Sequence, residues 1–262
     1  MRLAILGVVA FLALADAGTL LSERHNPVNW KDLTPDYVND DERIIGGELA
    51  TPGQFPYQVA LIIDGGVFCG GSLISDLWVL TAAHCASGRT TFDVWMGTTK
   101  RSANEPQRVI MTTTDKIVHQ LYLVTLHNRN DIALLQLPQT PIRLPRLADV
   151  DTTYVGTMGI VSGWGRTDES VPGAVDDLGF VDLTVVDRTV CEAHYGWSED
   201  TQLCLSVDEG KGSCSGDSGG PYVYNEPIDG QLTQIGMVSY GSSAGCVGGP
   251  KGFMRIAYFL NA

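Results

Sequence analysis

Long apolar runs are nearly absent from this sequence. Only Leu3 to Leu14 is continuous, and it is shorter than the ~20 residues that span a bilayer, which argues against a membrane anchor. Basic side chains are scarce as well. Seventeen Lys and Arg against 30 Asp and Glu give a formal net charge of −13, so nucleic acid and anionic membranes are not expected partners. No Cys-x-x-Cys pair and no His-rich cluster offers a metal site, which turns the six cysteines toward disulfides. There is no Asn-x-Ser/Thr sequon, and N-glycosylation is not expected. No internal repeat is visible, and the apolar residues do not fall into long helical periods.

What is present begins with an address. Arg2, the apolar Leu3 to Leu14 and the small-residue pattern Ala13-Leu14-Ala15-Asp16-Ala17 read as a secretory signal peptide, residues 1–17. Residues 18–43 follow as a polar, cysteine-free segment with Asn26-Pro27, Thr34-Pro35 and the acidic run Asp40-Asp41-Glu42, a composition suited to a propeptide that no disulfide retains after cleavage. From Ile44 the apolar residues come in short β-rich runs punctuated by Gly and Pro. Examples are Tyr57 to Ile63, Val67 to Ile74, Phe92 to Met96, Ile132 to Leu137, Gly179 to Val186 and Gln234 to Tyr240, the pattern of an all-β sandwich or barrel.

Three segments carry chemistry. Gly216-Asp217-Ser218-Gly219-Gly220-Pro221 places a serine hydroxyl on a glycine turn beside a carboxylate. Thr81-Ala82-Ala83-His84-Cys85 supplies an imidazole, whose ordinary pKa of about 6.5 suits it to take and return a proton near neutrality. Asn130-Asp131-Ile132-Ala133-Leu134-Leu135 adds a carboxylate that can orient that imidazole. In this order, His, Asp, Ser, the motifs resemble those of the chymotrypsin-like serine proteases, and the resemblance runs from Ile44 to about Leu260.

The resemblance implies two six-stranded antiparallel β-barrels with the active site in the cleft between them, a peptidase domain over residues 44–262, and a boundary between the barrels near Ala148 to Thr153. It implies Ser218 as nucleophile, His84 as general base and then acid, Asp131 as the group that orients His84, and Ser239 as a serine that supports Asp131. The backbone N–H groups of Gly216 and Ser218 are the implied oxyanion hole, and Cys69–Cys85, Cys191–Cys204 and Cys214–Cys246 the implied disulfides. Arg43-Ile44-Ile45-Gly46-Gly47 resembles an activation junction: cleavage after Arg43 frees the Ile44 ammonium to meet Asp217. The chain as written is then a precursor. A family member that has lost a catalytic residue can serve as a silent binding or regulatory protein, whereas this chain keeps all three.

For specificity, the implied pocket residues are Gly212, Ser213, Ser239, Gly241 and Lys251. Trypsin-like members carry Asp where this chain has Gly212, so Arg or Lys specificity is disfavoured, and Gly241 leaves the entrance open to a large side chain. The first expectation is therefore a chymotrypsin-like preference for large apolar or aromatic residues, with Lys251 snorkelling outward. If its ammonium instead points inward, it favours an acidic side chain. Gly212 with a polar residue deeper in the pocket also resembles the broad-specificity brachyurin type. The implied chemistry requires no metal or organic cofactor. Expected partners are protein and peptide substrates, an activating trypsin-like protease and protein inhibitors, acting on a secreted monomer. The lack of appended modules points to digestive or general proteolysis. The chain stops at Ala262, where the family runs on into a longer terminal helix.

Overall fold

The computed structural model describes residues 44–122, 129–137, 146–147, 153–207, 210–227 and 232–260. The expected signal peptide, the propeptide and Arg43 lie outside these residues.

The first half is one antiparallel sheet in the order β6-β5-β2-β3-β4-β8-β7. Its strands are β2 (Gln58–Ile63), β3 (Val67–Leu73), β4 (Trp78–Thr81), β5 (Phe92–Met96), β6 (Val109–Thr113), β7 (Lys116–Val118) and β8 (Ala133–Gln136). The two edge strands, β6 and β7, are consecutive in the chain, so the sheet curls until a two-residue corner joins its ends. The expected first barrel is thus a curled sheet of seven short strands rather than six hydrogen-bonded in a ring. The reason is local: the β6–β7 segment bends at Thr114-Asp115, and each half pairs with a different neighbour.

The second half closes fully. Strands β10 (Met158–Gly163), β11 (Gly179–Val186), β12 (Gln202–Leu205), β13 (Pro221–Asn225), β14 (Leu232–Tyr240) and β15 (Lys251–Arg255) form a six-stranded ring in the order β11-β10-β13-β14-β15-β12, closed by β12 on β11. The two-residue strand β1 (Glu48–Leu49) adds to β11. Strand β9 (Arg146–Leu147) runs parallel to β14, so the chain has already entered the second half at Arg146. The chain has therefore reached the second half ahead of the Ala148 to Thr153 expected from sequence.

Strand β2 shows how one sequence serves two cores. All six of its residues are buried, and because successive side chains point to opposite faces, Val59, Leu61 and Ile63 join the core of the first half. Ala60 and Ile62 turn the other way and pack with Trp95, Trp164, Leu178 and Val223 in a layer between the halves. A third cluster, including Val161, Val181, Leu183, Leu203, Tyr222 and Phe253, fills the closed barrel. Helix α1 (Ala83–Ala86) is a single turn after β4, and helix α3 (Ile256–Phe259) ends the described chain with Ile256 and Ala257 buried. Between them in sequence, helix α2 (Arg188–Tyr195) is started by Asp187, whose carboxylate accepts from Thr189 N at 2.9 Å, and is stopped by Gly196 at φ +77°.

Candidate active site

His84 sits in the α1 turn, fixed from behind by the Cys69–Cys85 disulfide to β3. Opposite it, Asn130 adopts φ +54°, a left-handed conformation that Asn tolerates better than most residues, and its side-chain amide donates to the Leu121 carbonyl at 3.0 Å. That turn aims Asp131 inward immediately before β8. Asp131 is fully buried, and its carboxylate is saturated by three donors. Oδ1 accepts from His84 N at 2.8 Å, while Oδ2 lies 2.7 Å from His84 Nδ1 and accepts from Ser239 Oγ at 2.6 Å. With Nδ1 held by the carboxylate, Nε2 is the imidazole nitrogen left to exchange protons. The His84 side chain keeps 30% of its exposure, so that nitrogen remains on an accessible face. Ser239 comes from β14, in the other half of the molecule, and its hydroxyl is committed to Asp131 rather than to the pocket wall.

Ser218 is partly exposed on the loop before β13. Its carbonyl accepts from Gly70 N at 2.7 Å and lies 3.9 Å from Cys85 Sγ, which ties the Ser218 backbone to the segment bearing His84. Just upstream, Asp217 N donates to Cys214 O at 3.0 Å and Gly216 takes φ +104°, a conformation that L side chains rarely adopt. The Asp217 side chain is buried, its Oδ1 accepting from Gly165 N and its Oδ2 from Cys214 N, both at 2.8 Å. Burial still raises its pKa to about 6, because two backbone donors do not replace the lost water. The carboxylate is seated where Gly163 has no side chain; a β-carbon there would lie 2.1 Å from Oδ1. Ile44 is likewise fully buried in the core of the closed barrel, and Ile45 bridges to Gly212 on the pocket loop.

Lys251 does not take the outward course expected of it. Lys251, the first residue of β15, is 3% exposed and does not snorkel outward. A β-carbon on Gly241 would lie 2.6 Å from its Nζ, and one on Gly212 would lie 3.5 Å from its Cε. The lysine stem therefore runs between the two glycines that the sequence assigned to the pocket, with its ammonium against Gly241. Burial lowers the Lys251 pKa to about 8, while the charges of Glu169 and Asp217 work against that shift. Ser213 is buried on the same loop. Glu169 accepts from Cys246 N and thereby rests its charge on the loop after Gly241. Nothing in the polar run Arg166-Thr167-Asp168-Glu169-Ser170 marks it in the sequence.

The three cysteine pairs are those the resemblance implied, Cys69–Cys85, Cys191–Cys204 and Cys214–Cys246. Cys69, His84 and Cys85 come close enough to suggest a metal cluster, but both sulfurs are consumed in one disulfide, and metal ligation by cysteine needs thiolates. Among the described residues no helix is long and apolar enough to cross a membrane.

Comparison with known proteins decides the family. The family model described as Trypsin matches residues 44–262. The chain belongs to the trypsin family. Similar proteins include brachyurin from Leptuca pugilator, 40% identical over 223 residues that cover 83% of this chain and 96% of the relative. Chymotrypsin from Phaedon cochleariae is 33% identical, covering 90% of this chain and 84% of its own length. A solved structure of HL collagenase aligns with a TM-score of 0.73 at 33% identity, covering 82% of this chain and 95% of that one. This trypsin-family chain is a serine endopeptidase acting on protein substrates.

Proposed function

We propose that this chain is a secreted zymogen whose activated form cleaves proteins after acidic residues through an acyl-enzyme. The observation that carries the catalytic part is the Asp131 carboxylate, buried and gripping both the backbone N–H and Nδ1 of His84. In this reading Ser218 Oγ attacks the scissile carbonyl carbon as His84 Nε2 takes its proton, and Asp131 stabilises the imidazolium that forms. The carbonyl oxygen becomes an oxyanion held by the N–H groups of Gly216 and Ser218. Collapse breaks the C–N bond, His84 returns the proton to the leaving amine, and water then cleaves the acyl ester by the same route in reverse.

Activation fits the same frame. Cleavage after Arg43 creates an ammonium on Ile44, and the buried Asp217 carboxylate, raised to a pKa of about 6, is the partner that lacks a full counter-charge. The three disulfides and the acidic charge suit secretion of the chain as a monomer, activated by a trypsin-like protease and open to protein inhibitors.

The substrate preference follows from Lys251. A buried ammonium against Gly241 penalises an apolar side chain and rewards a carboxylate that completes an ion pair in a low-dielectric pocket. The buried ammonium supports the acidic alternative drawn from the sequence over the apolar one. Two experiments test the proposal. Active-site labelling by an organophosphonate after trypsin activation should be lost in Ser218→Ala with the fold retained; labelling of that variant places the nucleophile elsewhere. Arg43→Gln should block activation, and normal activation of it would refute the assigned junction.

A further inference from the structure

Arg101 is the most deeply buried charge that the proposed mechanism does not use. It is 2% exposed, in the loop that leaves β5, and a guanidinium so buried must be held by specific acceptors. Its Nη1 reaches across to the second half and donates to the carbonyls of Ala174 and Val175, at 2.8 and 2.9 Å. The opposite face of the guanidinium lies over the Phe68 ring, 4.3 Å from its centroid.

The surrounding backbone makes this a clasp between the halves. Arg101 N donates to Asp176 O at 2.9 Å, and both Ser102 N and Ser102 Oγ donate to the Asp176 carboxylate at 2.6 Å. Thr99 O accepts from Leu178 N at 2.7 Å and from Trp164 Nε1 at 3.1 Å. The segment so gripped, Ala174–Leu178, stands directly behind Gly216. A β-carbon on Gly216 would lie 3.4 Å from Ala174 Cβ, 3.5 Å from Trp164 O and 3.0 Å from Gly165 Cα. That wall is itself stitched together: Val175 N donates to Trp164 O at 2.9 Å, and Gly165 N donates to Asp217 Oδ1 at 2.8 Å.

We infer that Arg101 is a positioning residue for the oxyanion-stabilising loop, holding Ala174 and Val175 so that Gly216 presents its N–H at the angle the reaction needs. The inference rests on the reading of Gly216 as an oxyanion donor. Arg101 itself does not contact Gly216, and its effect passes through the packing of Ala174 and Trp164 on that residue.

The test uses the full chain, activated by trypsin and counted by active-site titration. Arg101→Met keeps the bulk of the stem and removes the donors; Arg101→Lys restores a charge and a single donor group. The expected result for R101M is a kcat per titrated site lower by roughly tenfold, part of the hundred- to thousandfold that loss of a whole oxyanion donor costs. KM should hold, affinity for a peptide aldehyde that forms an oxyanion adduct should weaken by the same factor, and R101K should recover part of both. A lower melting temperature with unchanged kcat and unchanged aldehyde affinity would overturn the inference, as would a rise in KM alone. If R101M is not recovered folded, R101K must show the same kcat-against-KM split at smaller size or the inference fails. Gly216→Ala separates the two levels of the argument. Unchanged kcat in G216A refutes the oxyanion assignment itself, whereas a fall in G216A with none in the Arg101 variants refutes only the role of Arg101.

Discussion

Two buried side chains, Asp131 and Lys251, carry the proposed chemistry and specificity, and they sit in opposite surroundings. Asp131 has its charge answered by three donors from two residues, His84 and Ser239. Removing one of them, in Ser239→Ala, leaves His84 to hold the carboxylate alone; a hydrogen bond to a charged group contributes about 1.5–3 kcal/mol, so kcat/KM should fall by roughly tenfold to a hundredfold. Steady-state kinetics check this, and an unchanged value would mean that the hydroxyl only fills space. Lys251 is answered incompletely, and its pKa drops to about 8. Its ammonium is present below that pH and lost above it, so preference for an acidic side chain before the scissile bond should fade as pH rises through about 8. The linkage to stability has the same origin. Between about 8 and the ordinary lysine pKa of about 10.4 the unfolded chain binds more protons, so stability due to this group rises with pH across that window. Lys251→Met should therefore denature later than the parent at pH 7, with the difference shrinking by pH 10. A denaturant midpoint series reads this directly. The sequence flagged Lys251 but left the direction of its stem open, and the structure turns it inward between Gly212 and Gly241. Gly252 follows it, and in a strand a shift of one residue exchanges the two faces.

At the scale of elements, the strands that were legible are those whose apolar runs are bounded by Gly or Pro. Gln58–Ile63 and Gly179–Val186 fall within their expected spans because burial on one or both faces forces the pattern. Strand β12 and helix α2 were missed for physical reasons. Gln202–Leu205 is only four residues long, and Arg188–Tyr195 buries a single side chain, Cys191, so no apolar stripe announces it. That helix is held by its Asp187 cap and by the Cys191–Cys204 disulfide to β12 instead. Replacing both cysteines by alanine should lower stability by about 2–3 kcal/mol, the range for a short closed loop, and thermal unfolding with and without the bridge tests it. Cleavage activity well below the new midpoint should persist, because neither element supplies a residue to the His84–Asp131 network.

The whole molecule is built so that neither half has a site alone. His84 and Asp131 stand on the curled sheet, Ser218 and Ser239 on the closed barrel, and the layer around Ile62, Trp164 and Val223 keeps the two in register. The order of the three motifs made this division legible in the sequence. The interbarrel clasp at Arg101 was not, since a lone arginine in a polar loop has no pattern. The proposed activation acts at the same scale. Asp217, with its pKa raised to about 6, weighs against folding increasingly as pH rises from about 4 to 6, where the folded chain binds more protons than the unfolded one. In the proposed activated form, an Ile44 ammonium beside it offsets that cost. The cleaved enzyme should accordingly unfold later than the Arg43→Gln precursor at pH 7, and the gap should narrow toward pH 5; a gap independent of pH would contradict the pairing.

The most direct measurement of the central claim is kcat/KM at pH 7 for the trypsin-activated chain, with the trypsin then inhibited, on peptides that differ only before the scissile bond: Glu, Asp, Leu, Phe and Arg. Glu and Asp should be cleaved fastest, and Lys251→Met should move the preference to Leu and Phe. Fastest cleavage after Leu, Phe or Arg by the unaltered enzyme would contradict it.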